Sequence, residues 1–525
     1  MTYSYAFPCL VAAVSRHWRG VALSTSQLWN KIPVTDEDSD DPNNLDGTSF
    51  QLARLFLSRS GAAPLDIMVD ARDPEWDFSE FDMFTAGSTP GSDGDEDEYR
   101  HPFTESHMHA AMRMLLPHLP RTRSLAILTD RWAPMHVALH KLSRDAPRAP
   151  LLETFILMRC NEFAAYAPDF VPEEHEVQWL LPFGNHAGSP ALPRLQRLIL
   201  SGVHLKWKSL PALLPPQSRL RHLELTYHCS DVRPNKIELL KLFSVCPRLE
   251  ELNVRVSLPE DETEFGQEAA MQNAEPVLLP KLKTLKIGYD DSILALEFLE
   301  LFRAPTLRTF VLEDASYAAS EVEQEASRLL IHIAHPGGRL DRSQPLFPLL
   351  ESVEFGRTRA SQEAYQIFYG ALPRLRTLTL RETPVAAARA LRPSSPYAAQ
   401  QTCPCALLDT LVVRGYEPCE DSQLSEILVE RTNYGAVFRD IRLEPWYGVP
   451  EDELEEEDGP KAGDAAGDWL APDGQAVQGT ASPAQASQPV PRTADGRVVV
   501  GRAGLPPPTP FEFVIGRMSA GPAYR

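Results

Sequence analysis

The residues PRLQRLIL, positions 193–200, and PRLEELNV, positions 247–254, carry the pattern that decides the fold. In both, a proline is followed by apolar residues (Φ) in the arrangement Pro-x-Φ-x-x-Φ-x-Φ. The last two apolar positions alternate as in a β-strand with one buried face. The proline ends a preceding helix, because it has no backbone N–H and clashes with the turn before it. The pattern therefore predicts a turn followed by a short strand.

The same pattern recurs along the chain. Further copies are PLLETFIL from Pro150, PKLKTLKI from Pro280, PTLRTFVL from Pro305, PLLESVEF from Pro348 and PRLRTLTL from Pro373, with the shorter RLRHLEL from Arg219 and LLDTLVV from Leu407, and the weaker PRTRSLAI from Pro120 and FRDIRL from Phe438. Between copies, apolar residues recur at spacings of three and four, as at Tyr365, Phe368, Tyr369 and Leu372, which predicts helices. Each unit is therefore predicted to hold one strand and one helix.

This pattern resembles the leucine-rich repeat. The first apolar residues of the clear copies lie 25 to 43 residues apart; the family period is about 20 to 29, so the longer intervals predict loop insertions. The Asn or Cys ladder of the family is replaced here by Val203, His228, Ser257 and Asp290. We expect an α/β fold in which residues 105–445 form an irregular leucine-rich-repeat solenoid. An ordinary α/β fold with leucine-rich strands is the alternative, although no glycine-rich phosphate-binding motif is present.

Charge divides the chain into segments. Of the net charge of -21, residues 36–100 contribute 18 acidic and 4 basic side chains, and residues 451–525 contribute 12 and 6. We interpret 36–104 as an acidic linker with one strand near 64–69 and a disordered loop near 85–100. Gly, Ala, Pro, Gln and Ser dominate the end of the chain, so 446–525 is predicted to be a disordered tail. The remainder is nearly neutral, which argues against binding of nucleic acid.

Cysteine content and hydropathy indicate the compartment. The seven cysteines are few and scattered, unlike a secreted disulfide framework. No apolar run approaches the roughly 18 to 20 residues of a membrane-spanning helix. We expect a cytoplasmic or nuclear protein without a membrane partner.

A second resemblance lies near the amino terminus. Residues 10–29 read LVAAVSRHWRGVALSTSQLW, which resembles the second half of an F-box of the type found in mushroom-forming fungi, with V-S-R-x-W-R followed by A-L-S-T-x-x-L-W. The resemblance implies that residues 1–35 form a partial F-box-like helical segment. It further implies docking on the Skp-family linker of a Skp-cullin-F-box ubiquitin ligase. The residues implied to make that contact are Leu10, Val14, Trp18, Leu28 and Trp29.

The match covers about 25 residues and lacks the opening L-P-x-E helix of the family, which supplies part of the linker-binding surface. We therefore expect either that the chain continues upstream of Met1 or that this copy does not bind the linker. A further alternative is that Trp18 and Trp29 are core aromatic residues of a helical cap, since solenoids need capped ends.

The F-box resemblance implies a substrate-recognition subunit that binds an unknown target protein. Side chains on the strands, pointing outward beside the buried leucines, would form the target-binding face. They are Arg197, His222, Glu224, Glu251, Asn253, Lys286, Glu354, Thr377 and Thr379. No catalytic motif was found, so we expect no enzyme activity, no catalytic residue, no metal and no cofactor. The alternative is a leucine-rich-repeat scaffold with a degenerate F-box and no role in ubiquitin transfer; an enzyme is the third class of function.

Overall fold

The computed structural model describes residues 7–35, 50–73, 101–161, 165–166, 170, 180–184, 190–260, 275–316, 325–336, 344–393 and 403–445. The loop near 85–100 and the tail 446–525, both predicted to be disordered, lie outside the described residues.

Thirteen parallel strands form one sheet in which each strand pairs with the sheet strands next to it in chain order. They are β1 (Lys31–Thr35), β2 (Leu65–Ala71), β3 (Thr122–Thr129), β4 (Thr154–Arg159), β5 (Arg197–Ser201), β6 (His222–Thr226), β7 (Glu251–Arg255), β9 (Thr284–Tyr289), β11 (Thr309–Asp314), β12 (Ser352–Gly356), β13 (Thr377–Arg381), β14 (Thr410–Tyr416) and β15 (Asp440–Pro445). The short strands β8 (Val277–Leu278) and β10 (Phe302–Arg303) pair separately with each other. This order is consistent with a solenoid-like α/β fold.

Helices connect most of the strands. The α-helices are α1 (Phe7–Val14), α2 (Arg16–Ser24), α3 (Gln51–Arg59), α4 (Glu105–Leu115), α5 (Trp132–Arg144), α6 (Lys236–Ser244), α7 (Ser292–Glu300), α8 (Ser327–Ala334), α9 (Gln362–Gly370), α10 (Val385–Arg389) and α11 (Asp421–Asn433), and 3-10 helices span Ser26–Trp29, Leu116–Arg121, Trp207–Leu213, Ser230–Val232 and Pro418–Glu420. Their starts follow local sequence: Asn235 and Glu238 form a capping box on α6, and the side chain of Ser361 caps α9. None of the helices in the described ranges has the length and apolar character to span a membrane.

The strands predicted from the repeated pattern are confirmed. Every copy contains a strand, including the two weak copies, which form β3 and β15. The apolar positions of the copies are buried, as for Leu195, Leu198 and Leu200 in the copy that starts at Pro193, except that Ile441 and Leu443 in the last copy are half-buried. These residues and the apolar faces of the helices form one continuous core. We use the term outer face for the opposite surface of the sheet, formed by the strand residues that alternate with the buried ones.

The sheet begins earlier than the repeated pattern indicates. Strands β1 and β2 already belong to it, so the sheet extends before residue 105, where the repeat region was predicted to start. A strand was expected near 64–69 and lies at Leu65–Ala71. Strand β1 was missed because its sequence, KIPVT, has a proline inside the strand and no Pro-x-Φ-x-x-Φ-x-Φ pattern.

Two buried threonine side chains connect neighbouring strands of the sheet. Thr358 Oγ1 lies 3.1 Å from the backbone oxygen of Leu312, in the preceding strand of the sheet. One unit later, Thr383 Oγ1 lies 3.2 Å from the backbone oxygen of Phe355 in the same relation. Both threonines are buried, and each therefore joins its own turn to the neighbouring unit.

Charged residues that directly precede the strands pair across the sheet. Glu250 lies between Arg221 (3.8 Å) and Lys283 (2.9 Å), and Arg308 lies 2.5 Å from Glu351. Exposed pairs of this kind contribute at most about 1 kcal/mol each. These opposite charges meet only when neighbouring strands have the observed register, so the ion pairs favour that register.

Strand β1 forms one edge of the sheet. The backbone oxygen of Asn30 accepts a hydrogen bond from the N–H of Asp66, at 2.9 Å. The N–H and C=O groups of successive strand residues point to opposite sides of the strand. Those of Ile32 and Val34 therefore point towards β2, as the C=O of Asn30 does. The backbone of Pro33 therefore points away from β2, to the outer edge of the sheet, where proline has no N–H that could donate a hydrogen bond.

Candidate binding surface

The residues predicted to bind a target lie together on the outer face. Arg197, His222 and Glu251 occupy neighbouring positions in one row across β5, β6 and β7. A second row, two residues further along the strands, contains Glu224, Asn253, Lys286, Glu354 and Thr379, and Thr377 continues the first row. Glu224 is buried and the other eight are half-buried. The structure thus brings the whole set to one surface.

The outer face changes character along the sheet. On β3, β4 and β5 it is apolar: Ala126, Leu128, Ile156, Met158 and Ile199 are buried in a cluster separate from the main core. From β6 onward the face carries mainly polar and charged side chains. The polar candidate residues therefore lie mostly on one part of the surface, from β6 to β13.

His222 is the centre of a compensated charge cluster on this face. Its Nδ1 atom lies 3.1 Å from Glu251 and its Nε2 atom 3.3 Å from Glu224. Burial lowers the pKa of His222, but the hydrogen bonds with Glu224 and Glu251 outweigh it and raise the pKa above its usual value. The hydrogen bond from His222, together with Lys286 at 2.9 Å, lowers the pKa of Glu251 to about 2. With His222 protonated, His222 and Lys286 face the two carboxylates, and Arg197 on the neighbouring strand is a third cation close to His222.

A second cluster lies at the carboxyl ends of the strands. Five residues in register across five neighbouring strands, Arg255, Gly288, Glu313, Gly356 and Arg381, form one row on the outer face. The guanidinium groups at the two ends of this row both contact the central carboxylate. The row is therefore a symmetric ion-pair arrangement, in which each arginine lies two strands away from Glu313.

The glycines in the row make room for the arginine side chains. A Cβ atom at position 288 would lie 2.5 Å from Cγ of Arg255, and one at position 356 would lie 2.6 Å from Nη2 of Arg381. These distances are too short for non-bonded atoms. Each arginine thus lies across a glycine to reach Glu313 on a strand that is not its immediate neighbour.

Glu313 has a third cationic neighbour. Arg357, which directly follows β12, places Nη2 3.5 Å from the same Glu313 oxygen that Arg381 approaches to 2.9 Å. Burial raises the pKa of Glu313, but Arg255 and Arg381 outweigh it and keep the pKa below its usual value. A buried carboxylate is stable only when it is paired in this way. We refer to Arg255, Arg357 and Arg381 as the arginine cluster.

The sequence pattern did not reveal the arginine cluster. The pattern ends at the second strand apolar position, whereas the residues of the row follow directly after it in each copy. Aligning the copies one position further gives the row R-G-E-G-R from Arg255 to Arg381. That signal was present in the sequence, but its meaning depends on the pairing of distant strands.

The residues implied to dock on the linker fall into two groups. Leu10, Val14 and Trp18 are 60%, 70% and 50% exposed. Leu28 is half-buried against the core, and Trp29 is fully buried. The two groups therefore have different roles in the amino-terminal segment.

Trp29 is a core residue. Its indole Nε1 donates a hydrogen bond to the backbone oxygen of Ala22 (2.8 Å), and its ring packs edge-on against Phe56 with centroids 5.1 Å apart. The expectation that Trp29 contacts the linker is thus revised, because its side chain has no free surface. The interpretation of a core aromatic holds for Trp29, whereas Trp18 is half exposed.

The described residues include no group of three or more His, Cys, Asp or Glu side chains arranged to hold a metal ion. Comparison of the chain with known proteins finds no family model that matches and no curated protein with a similar sequence.

Proposed function

We propose that the chain is the substrate-recognition subunit of a Skp-cullin-F-box ubiquitin ligase, built as a leucine-rich-repeat solenoid. Helices α1 and α2 would dock on the Skp-family linker, and the outer face would hold a target protein. The observation that carries the proposal is the exposed apolar surface of these helices, formed by Leu10, Val14 and Trp18.

This surface has the character of a binding site. Phe7, Leu10 and Val14 share one face of α1 by their spacing, and Phe7 is exposed as well. Large apolar side chains that cluster on a surface typically mark a contact with another protein. They lie within the residues that resemble an F-box, so the chemistry of the surface and the sequence resemblance support the same partner.

The repeat array supports the second half of the proposal. A parallel sheet in chain order, a repeated leucine pattern and buried hydroxyl groups that connect neighbouring strands are all features that a leucine-rich-repeat solenoid would have. Its outer face carries both signs of charge, which suits a protein target better than a polyanion. Such a subunit needs no nucleophile, because holding the target beside the ligase raises the effective concentration of its lysines.

Co-purification with the Skp-family linker of the host tests the proposal. The double variant Leu10→Ala, Trp18→Ala is expected to retain at most about a tenth of the linker that the wild type retains, since each truncation of a buried anchor typically costs more than about 1 kcal/mol. The matched control is Val429→Ala, Val437→Ala, which removes exposed apolar side chains from the opposite end of the chain. The control should bind normally, and circular dichroism should show that all three proteins are folded.

The alternative is a leucine-rich-repeat scaffold whose F-box-like segment serves only as a cap. The inward position of Leu28 and Trp29 favours it, because these two of the five implied contact residues support the core. Equal linker recovery from the wild type and the double variant, or no recovery from either, would contradict the ligase proposal and favour the scaffold.

A further inference from the structure

Within the described residues, the two ends of the sheet differ in how well they are covered. On β1, the first strand, the core positions Ile32 and Val34 are 1% and 0% exposed. On β15 the corresponding core positions, Ile441 and Leu443, are only half-buried, and in the described part of the chain β15 pairs with β14 alone. The terminal unit of a repeat array needs a cap. The carboxyl-terminal end of the sheet therefore offers an apolar strand edge that a further element could cover.

The sequence after β15 contains a further copy of the repeated pattern. Residues 508–517 read PTPFEFVIGR, and the copy that contains β12 reads PLLESVEFGR over residues 348–357. Both begin with proline, carry apolar residues at the sixth and eighth positions and end in Gly-Arg; at the third position Pro510 replaces leucine. Alternation of this kind is typical of a strand with one buried face. We refer to residues 511–517 as the tail segment.

The two copies also share a charged position. Glu313 on β11 contacts Arg357, which directly follows the next strand, β12. Across the sheet, Glu444 on β15 lies in the same row as Glu313. A strand added beyond β15 in the same register would place Arg517 opposite Glu444, just as Arg357 lies opposite Glu313. The Glu444 side chain is 54% exposed and pairs at 2.9 Å with Arg414 on the β14 side, so its charge complements the tail segment.

We propose that the tail segment pairs with β15 as a further parallel strand and caps the carboxyl-terminal end of the sheet. Phe513 would lie beside Ile441, and Ile515 beside Leu443, so that the two half-buried core positions are covered. The backbone N–H and C=O groups on the free edge of β15 would gain partners, as they do when a peptide adds a strand to a sheet edge. This inference is independent of the proposed function, because α1 and α2 belong to the other end of the chain.

The chain is long enough to reach this position. Residues 446–510 join β15 to the tail segment, and a flexible chain of that length spans about 45 Å on average. The connection has to return only about 20 Å, the length of a six-residue strand such as β15. Each connection between neighbouring strands of the parallel sheet makes the same return. Attachment to the same chain also keeps the tail segment at a high effective concentration.

The tail segment fits the edge of β15 better than a second copy of the chain does. The free strand of a second copy would be β1, where Pro33 removes a backbone donor from the middle of the edge. The tail segment contains no proline. Its one acidic residue, Glu512, would lie beside Asp440, whose charge is balanced by Arg442 at 2.8 Å.

Hydrogen exchange of the full chain, measured by mass spectrometry, tests the inference. Amides of the tail segment and β15 are expected to exchange at least about tenfold faster in the variant Phe513→Asp, Ile515→Asp than in the wild type, because charged side chains are costly at core positions. The matched control is Val498→Asp, Val500→Asp: residues 498–502, VVVGR, share the ending of the pattern but have no proline at its first position. The control should exchange as the wild type does, and unchanged exchange in β11, β12 and β13 would show that all three proteins are folded.

An exchange of charges tests the register. Glu444→Lys and Arg517→Glu should each speed exchange of the tail segment by about two- to fivefold, the effect of losing one exposed ion pair, and the protein that carries both changes should recover slow exchange. The inference is overturned by equal exchange in the wild type and the Phe513, Ile515 variant, by an equal loss of protection in the control, or by no recovery in the charge-exchanged protein. Protection that rises with protein concentration would also overturn it, because the edge would then hold a second copy.

Discussion

Neighbouring charges decide how His222 behaves on the outer face. Its two ring nitrogens both face carboxylates, at 3.1 and 3.3 Å, so the protonated form is favoured in the folded protein. In the unfolded chain these contacts are absent, and the pKa returns towards about 6.5. Protonation of His222 and folding are therefore linked.

The linkage predicts a pH-dependent contribution to stability. Because the folded pKa is raised, the contribution of His222 is complete below about pH 6.5 and is lost as the pH rises through the folded pKa. We expect His222→Gln to lower the free energy of unfolding by about 1.5 kcal/mol more at about pH 6 than at about pH 9, the size of one hydrogen bond to a charged group. Urea denaturation at the two pH values measures the difference.

A variant without the two carboxylate partners of His222 tests the cause of this pH dependence. In a Glu224→Gln, Glu251→Gln protein, the pH dependence of the His222→Gln effect should reverse its sign, because burial and Arg197, which lower the pKa of His222, then act without the carboxylates. A pH dependence that keeps its original sign in this background would show that another group carries it.

At the scale of the element, the strands share a common ending. Several are followed directly by a residue with a positive φ angle, among them Gly202, Tyr227, Val256, Arg357 and Glu382. This left-handed conformation is unfavourable for residues other than glycine. Its recurrence shows that one turn geometry ends many of the units, whatever residue stands there.

A glycine with a positive φ angle also lies inside β14, where the register with β15 shifts between Arg414 and Tyr416. Gly415 has φ +65, and a Cβ atom there would lie 2.8 Å from Cγ of Glu382. We expect Gly415→Ala to destabilise the protein by about 1 kcal/mol or more. By contrast, Gly370 ends α9 with no atom within 4 Å of a Cβ position, so Gly370→Ala should be neutral or stabilise by up to about 1 kcal/mol. Urea denaturation distinguishes the two variants, and equal effects would contradict the argument.

The elements were predictable to the extent that their signals are local. A proline followed by spaced leucines fixes a turn and a strand within eight residues, and every such prediction holds. The arginine cluster was not predictable in the same way, because Arg255 and Arg381 meet only through the register of five strands joined by insertions of different length. The sequence left open whether Trp29 contacts the linker or the core for a related reason: its partner Phe56 comes from a later helix.

At the scale of the whole molecule, each unit of the sheet pairs with the units on either side of it. In such an array, stability is approximately the sum of local terms and nearest-neighbour terms. A defect at one end should therefore remain near that end. The amino-terminal segment offers a test, since the side chain of Trp29 is buried and contacts α2 and α3.

We expect Trp29→Ala to cost about 3 to 5 kcal/mol locally, the usual range for a buried aromatic residue. Hydrogen exchange measured by mass spectrometry should accelerate in β1 and β2 and remain unchanged in β13 and β14. Trp18→Ala is the control, because Trp18 is half exposed and its loss should leave exchange in β1 almost unaltered. Uniform acceleration along the chain would instead show that the sheet unfolds as one unit.

The position of Pro33 bears on self-assembly. Within the described residues, β1 and β15 each pair with only one strand of the sheet, which offers a route to polymerisation in which β15 of one molecule adds to β1 of the next. Such a head-to-tail contact does not close on itself, and repeated addition would produce a fibre. Proline on an edge strand is a recognised barrier to this growth, and here it removes a donor from the middle of β1 on the side where another strand would attach. Replacement of Pro33 would therefore favour fibril formation and leave the candidate binding surface unchanged.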